Sequence, residues 1–317
     1  MASHCQFTIL ETPLRLDGRL CRVVRAVEEW DTELVDPGPI ISELRSRPER
    51  IDIFTFIQRL PQSRPRFEYL MEWDNVAALP IRDYEYWYNN QLHRNARNKV
   101  KKAIKAGLEL KEVPFGLALW KGIQGIQNEI RIRQGRPYAY YGKDIEWIRE
   151  RYGTYLERAR FVGAFFHGEL IGFLKLVQTE GYTRTMGILA KAGCRDLAPM
   201  NALIAKGVEI CAERGDSYLV YGKYDYGKVG SDSVVSYKFH NGFEHILIPR
   251  YYIPLTSLGR LVVRAGLQHG LVGYLPRPWV QRLRDLKVSY FERKYRNSTK
   301  EALEGARDCS TRHEPKS

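Results

Sequence analysis

Residues 161–190 read FVGAFFHGELIGFLKLVQTEGYTRTMGILA, and their punctuation decides the fold. Three apolar runs, 161–167, 170–178 and 182–190, are separated by His167-Gly168 and Glu180-Gly181. Short Gly-containing breaks between runs rich in Val, Ile, Phe and Leu are hairpin signals, so the stretch predicts a three-stranded antiparallel meander. Downstream the period changes. Over 199–214, PMNALIAKGVEICAER places Met200, Leu203, Ile204, Gly207, Val208 and Cys211 on one stripe of a helix that Gly215 closes. Ser217–Tyr221 reads as a short buried strand and GKYDYGKVGSDS (222–233) as a loop. A helix follows over Ser233–Asn241, with Ser231 or Asp232 as N-cap and Gly242 as its end, and Phe243–Ile253 reads as a last strand. The order β-β-β-α-β-α-β leads antiparallel strands into a parallel pair, which can splay at its carboxyl ends where ligands commonly enter.

Upstream, DYEYWYNNQLHRNARNKVKKAIKAG (83–107) has no Pro and no internal Gly, and predicts one helix with Leu92, Ala96, Val100, Ala103 and Ile104 on a shared face. Two more helices are expected over 115–133 and 143–159, joined by the aromatic loop GRPYAYYG (135–142). Residues 1–85 read as a mixed α/β region with short strands such as Arg19–Val27 and Phe67–Met71 around the loop PQSRPR (61–66). Four regions result: 1–85; a domain over 86–256 that begins with the basic helix 86–106; a basic amphipathic helical segment over 257–300; and a polar, disordered tail over 301–317. In the third, Trp279, Leu283, Leu286 and Tyr290 line one side of a helix over 278–297, which fits either an anionic membrane surface or the protein's own core.

The 317 residues carry a net charge of +13 that is concentrated in two places. Between Trp87 and Leu108 there are six basic residues and no acid, and Arg250 to Lys300 contributes +9, so the remaining chain is nearly neutral. Two basic patches on a neutral protein imply an anionic partner: phosphates, a nucleic acid such as tRNA, or a lipid head-group surface. No uncharged apolar run approaches the roughly 18 residues of a spanning helix. The first fifteen residues lack the basic and apolar regions of a leader, so the expected location is the cytoplasm, with peripheral contact at the inner membrane face open to it. Five cysteines and seven histidines are scattered without metal-ligand spacing, so no metal and no disulfide framework is expected. Cys211 lies in an apolar stripe and Cys194 has no nearby His, which argues against a catalytic thiol.

The order of elements from Phe161 to Pro254 resembles the GNAT superfamily of N-acetyltransferases. It is closest to the Fem-type branch of peptidoglycan-bridge-like aminoacyl and acyltransferases. RNARNKVKKAIKAGLEL (94–110), FVGAFFHGELIGFLKLV (161–177) and VVSYKFHNGFE (234–244) carry the likeness, which extends from about Tyr84 to Pro254. It implies an α/β (α+β) fold with a GNAT-like mixed sheet, an antiparallel meander leading into a splayed parallel pair, flanked by helices. Ordinary members hold the coenzyme A pyrophosphate on a Q/R-x-x-G-x-G/A loop before the long helix. Here that loop is Lys191, Ala192, Gly193, Cys194, Arg195, Asp196, which departs from the pattern. The Fem-type branch can use aminoacyl-tRNA, so acyl-coenzyme A and aminoacyl-tRNA are both donors to consider.

The resemblance also places Lys238 near the acyl donor or the developing oxyanion, and Tyr237 where a protonated phenol would serve the leaving group. Asp225, in the loop after the short strand, could orient an amine or take its proton. Arg94, Arg97, Lys101 and Lys102 form a basic face for donor or acceptor phosphates, and Lys191 and Arg195 are further phosphate candidates. Gly222, Gly227 and Gly230 read as conformational. The expected function is transfer of an acyl or aminoacyl group to an amine, or a hydroxyl, of a glycan or cell-envelope precursor. The alternative is a non-catalytic nucleic-acid or membrane-surface binding protein on the same scaffold, which would have the cleft near Gly222 and Lys238 filled.

Overall fold

In chain order the elements are β1 (Cys5–Ile9), β2 (Thr12–Asp17), β3 (Val23–Ala26), α1 (Gly38–Ser46), β4 (Ile53–Ile57), β5 (Leu70–Pro80), α2 (Tyr84–Tyr86) and α3 (Arg94–Lys105). Next come β6 (Glu109–Glu112), α4 (Leu117–Asn128), β7 (Ile132–Arg133), β8 (Arg136–Pro137), α5 (Ile145–Tyr152), β9 (Ala159–Phe166), β10 (Glu169–Thr179) and β11 (Tyr182–Ala190). The last are α6 (Pro199–Arg214), β12 (Tyr218–Val220), α7 (Asp232–His240), β13 (Glu244–Pro254) and α8 (Ser257–Arg264). The computed structural model describes residues 5–133, 136–226 and 232–269. The expected helix over 278–297, the tail over 301–317, and Gly227 and Gly230 lie outside these residues.

The described chain divides into two units, one of residues up to 76 and from 245 on, the other of residues 77–244. In the first, β1, β2 and β3 pair antiparallel in succession, β3 runs parallel to β4, and β4 pairs antiparallel with β13. Leu14, Val24, Ile40, Ile41, Leu44, Phe54, Phe56, Tyr251 and Ile253 form its core. Arg250, part of the second basic stretch, is not a surface charge. It is enclosed by Glu29 at 2.6 Å and Asp74 at 2.8 Å.

The second unit contains the expected meander: β9 pairs antiparallel with β10, and β10 with β11. β6 extends it on the β9 side, and on the other side β11 runs parallel to β12, which pairs antiparallel with the end of β5. Alternate strand residues serve two cores. Val162, Ala164, Leu174 and Leu176 meet Ala96, Val100 and Ala103 of α3 and Leu203, Ile204 and Val208 of α6. Phe161, Leu170 and Phe173 meet Leu119, Ile123 and Ile126 of α4 and Ile148 of α5. The mixed sheet flanked by helices is therefore as the sequence implied.

The single helix expected over 83–107 is broken. Residues Trp87–Gln91 form a π-helical turn, and Leu92 (ψ 118°) and His93 (ψ 144°) are extended before α3 restarts. Tertiary bonds replace helix continuity: the Trp87 indole donates to Asn241 O at 3.0 Å, and His93 N donates to His240 O at 3.0 Å. His93 also caps the new helix, its Nδ1 accepting from Asn95 N at 3.3 Å. The helix expected over 115–133 likewise stops at Asn128, and Ile132–Arg133 turns into a small hairpin with Arg136–Pro137.

Candidate active site

The parallel pair is short. β11 and β12 share only the positions Tyr182↔Tyr218, Thr183↔Leu219 and Arg184↔Val220, although β11 continues to Ala190. A register shift opposite Lys175 and Leu176 bends β11 between Thr185 and Gly187. Beyond it the strands part. A cavity of about 430 Å³ lies there, walled by Ile188 and Leu189 of β11, Tyr221 after β12, Met200 of α6 and Val234 and Tyr237 of α7. Its remaining wall is Ser233 of α7 with Arg133, Pro137, Tyr138 and Tyr140. A cleft is therefore open beside Tyr221, but neither Gly222 nor Lys238, where the sequence placed it, lines it.

α7 is fixed from its far end. Asn241, fully buried, donates through Nδ2 to Tyr237 O at 2.7 Å and accepts from Asn201 Nδ2 of α6 at 3.0 Å. Gly242 adopts φ +86°, and a Cβ there would stand 3.1 Å from Gln91 O, so both backbone hand and space require glycine. This anchoring sets Tyr237 in the cavity wall, its hydroxyl donating to Met200 O at 2.9 Å. Burial, and then the neighbouring Tyr221, push the Tyr237 phenol well above its ordinary value, so it carries its proton throughout the physiological range.

Lys238 is wholly buried behind that wall. Its Nζ donates to the carbonyls of Lys223 and Tyr224 and lies 5.3 Å from the Tyr221 ring centroid and 4.8 Å from that of Tyr226. Cation–π contact and backbone carbonyls replace water around the ammonium. Burial lowers its pKa to about 8, while the negative charge of Asp225 acts in the opposite sense. Lys238, Asp225 and Tyr237 are thus brought together, with the ammonium one aromatic ring behind the cavity.

The basic residues lie apart from the cavity lining. Arg94, Lys101 and Lys102 are exposed on α3. The half-buried Arg97 donates through Nη2 to the carbonyls of Asn89 and Leu92, at 2.7 and 3.1 Å, capping the π-helical turn. Lys191 pairs with Glu169, and Arg195 is exposed on the turn before α6.

Sequence reasoning passed over Arg133. Its Nη2 donates to Ala190 O at 3.1 Å, its guanidinium lies 5.4 Å from the Tyr138 ring, and its buried Nη1 has no hydrogen-bond partner among the described residues. It also missed Glu129, whose carboxylate accepts from the amides of Ala192 and Gly193, the latter at 2.8 Å. The aromatic loop GRPYAYYG was the available signal for Tyr138 and Tyr140. No local signal points to contacts made across more than fifty residues. Among the described residues no three His, Cys, Asp or Glu side chains cluster as a metal site, and no helix is long and apolar enough to cross a membrane.

A 16-residue helix, α6, entered from a parting parallel strand after an antiparallel meander has close counterparts among solved structures. FemX superposes with a TM-score of 0.58 at 11% identity, covering 83% of this chain and 90% of its own. The fold is Fem-like. L-PGS from Bacillus licheniformis matches with a TM-score of 0.53 at 13% identity, covering 82% of this chain and 87% of its own. The C-terminal domain of a proposed lysylphosphatidylglycerol synthetase from Agrobacterium fabrum also scores 0.53, at 12% identity, with 84% and 88% covered. No protein-family model and no curated protein matches the sequence. At these identities the Fem-like likeness shows the architecture, and the chemistry rests on the site.

Proposed function

We propose that this chain is an acyltransferase that moves an aminoacyl group from an activated ester to an amine of a cell-envelope or glycan precursor. The observation that carries the reading is the open 430 Å³ cavity at the parting of β11 and β12, with a protonated phenol in its wall and a buried ammonium directly behind. A binding module on this scaffold has no need to keep that space open. The name lysylphosphatidylglycerol synthetase, carried by one of the Fem-like neighbours, supports an aminoacyl group and a membrane-envelope acceptor.

The chemistry uses what the cavity offers. The acceptor amine attacks the ester carbonyl, and the C–O bond to the donor breaks once the tetrahedral oxyanion collapses. Tyr237 gives its proton to the departing oxygen and is reprotonated from the ammonium formed in the attack, with Asp225 orienting that amine. Lys238 supplies a fixed positive charge across the Tyr221 ring, where it favours the oxyanion over the neutral ester. Arg94, Lys101 and Lys102 hold donor or acceptor phosphates on the exposed face of α3, whereas Lys191 is paired with Glu169 and Arg97 braces the start of α3; Arg195, exposed on the turn before α6, is a further phosphate contact. Contact with tRNA or an anionic membrane surface is the partner this charge distribution favours.

Mass spectrometry of species retained by the purified chain, after separate incubation with charged tRNA and with acyl-coenzyme A, tests the proposal. An aminoacyl adduct or product from the first arm is expected. Retention of neither donor, with salt-sensitive binding of uncharged RNA alone, would favour the binding module.

A further inference from the structure

Backbone amides ahead of a long helix are where a diphosphate is ordinarily held, because unpaired N–H groups and the positive end of the helix converge there. In this chain most of the equivalent amides between β11 and α6 already have acceptors. Lys191 N donates to Ile171 O, Cys194 N to Lys191 O, Arg195 N to Ala192 O, Leu197 N to Cys194 O and Ala198 N to Arg195 O. Asn201 N and Ala202 N both donate to Ala198 O, and Pro199 has no N–H to offer. Only two of these groups donate to something other than backbone. Ala192 N and Gly193 N meet Oε2 and Oε1 of Glu129, at 2.5 and 2.8 Å, a two-pronged arrangement that a diphosphate oxygen pair would otherwise occupy. The loop does not fit the diphosphate of coenzyme A.

We propose that Glu129 is a donor-selecting residue: its carboxylate is a built-in anion that fills the amide pair and excludes diphosphate-bearing acyl donors. The proposal rests on the acyltransferase reading and narrows it. A carboxylate held by two amides repels a second anion at the same point, and the nearest lysine, Lys191, is neutralised by Glu169. The donor left to such a site brings its acyl group as an ester without a diphosphate at this loop, as an aminoacyl-adenosine does. Glu129 directly follows α4, and four residues on Arg133, which itself lines the cavity, ties the same segment to Ala190 O of β11.

The test is calorimetric titration of the full chain with inorganic pyrophosphate and, separately, with coenzyme A, for the wild type, Glu129→Ala and Glu129→Ser. The wild type should bind neither ligand measurably. Both variants should bind pyrophosphate measurably, at an affinity at least about tenfold above the detection limit that the wild type fails to reach, the worth of one charge-assisted hydrogen bond, and coenzyme A should compete. Coenzyme A binding to the wild type as tightly as to the variants would overturn the proposal, as would variants that fold but gain nothing. Unfolding of both variants would also overturn it, because the contact would then serve stability and not selection. None of these readouts requires transfer activity, so failure of the acyltransferase reading is recognised separately, by the absence of transfer from any donor.

Discussion

Replacing Lys238 by methionine removes one buried charge while keeping most of the side-chain stem. The lysine falls from an ordinary value of 10.5 to about 8 in the folded chain, chiefly because burial strips water from the ammonium. Between those values the unfolded chain binds more protons than the folded one, so stability rises with pH across the window. The burial penalty is fully present below pH 8 and is relieved as pH approaches 10.5. From about pH 7 to about pH 9.5 the relief amounts to about 2 kcal/mol. The buried tyrosines, whose raised values act in the opposite sense at higher pH, are common to both proteins and cancel in the difference. Urea unfolding of wild type and Lys238→Met at both pH values measures it. The stability of the variant relative to wild type should fall by about 2 kcal/mol on going to the higher pH. A difference that stays constant would show that Nζ is solvated and would refute the buried ammonium behind Tyr221.

Tyr237→Phe leaves Met200 O without its donor and should cost about 1 kcal/mol in urea unfolding, while slowing aminoacyl transfer by about a hundredfold if the phenol protonates the leaving group. Arg97→Ala, which uncaps the carbonyls of Asn89 and Leu92, should destabilise by about 1–2 kcal/mol, whereas Lys101→Ala should stay within about 0.5 kcal/mol and instead weaken RNA binding at low salt. Gly242→Ala meets both the +86° φ and the Gln91 carbonyl, and should lower thermal stability by more than about 1 kcal/mol.

Much of the fold was written in local patterns. The meander over 161–190 follows from three continuous apolar runs and the two Gly turns between them, and α6 from one clean apolar stripe, since both are decided by near neighbours in sequence. The break at Leu92–His93 was not legible, because the bonds that cause it come from His240 and Asn241, about 150 residues away. Lys175 looks like an outward residue in FLKLV, yet it is buried, its Nζ donating to Tyr152 O at 2.9 Å and to Thr154 O at 2.6 Å. Of the site, Tyr237 and Lys238 were reachable through the motif they share, whereas Arg133 and Glu129 acquire meaning only from the loop they touch. Arg97 shows the converse: as a charge in a basic run it reads like a phosphate ligand, and only its contacts reveal a helix-bracing guanidinium.

The central claim is that acyl transfer occurs in the cavity between β11 and β12, and a single-turnover assay reaches it most directly. Charged tRNA bearing a labelled amino acid is mixed with excess protein and an amine-bearing envelope precursor, for the wild type and for Val234→Trp, which fills the cavity from α7. The account predicts label moving to the precursor in the wild type and a loss of about a hundredfold or more in Val234→Trp, with uncharged tRNA still bound. Equal transfer by the cavity-filled variant, or none by the wild type with any charged tRNA, would contradict it.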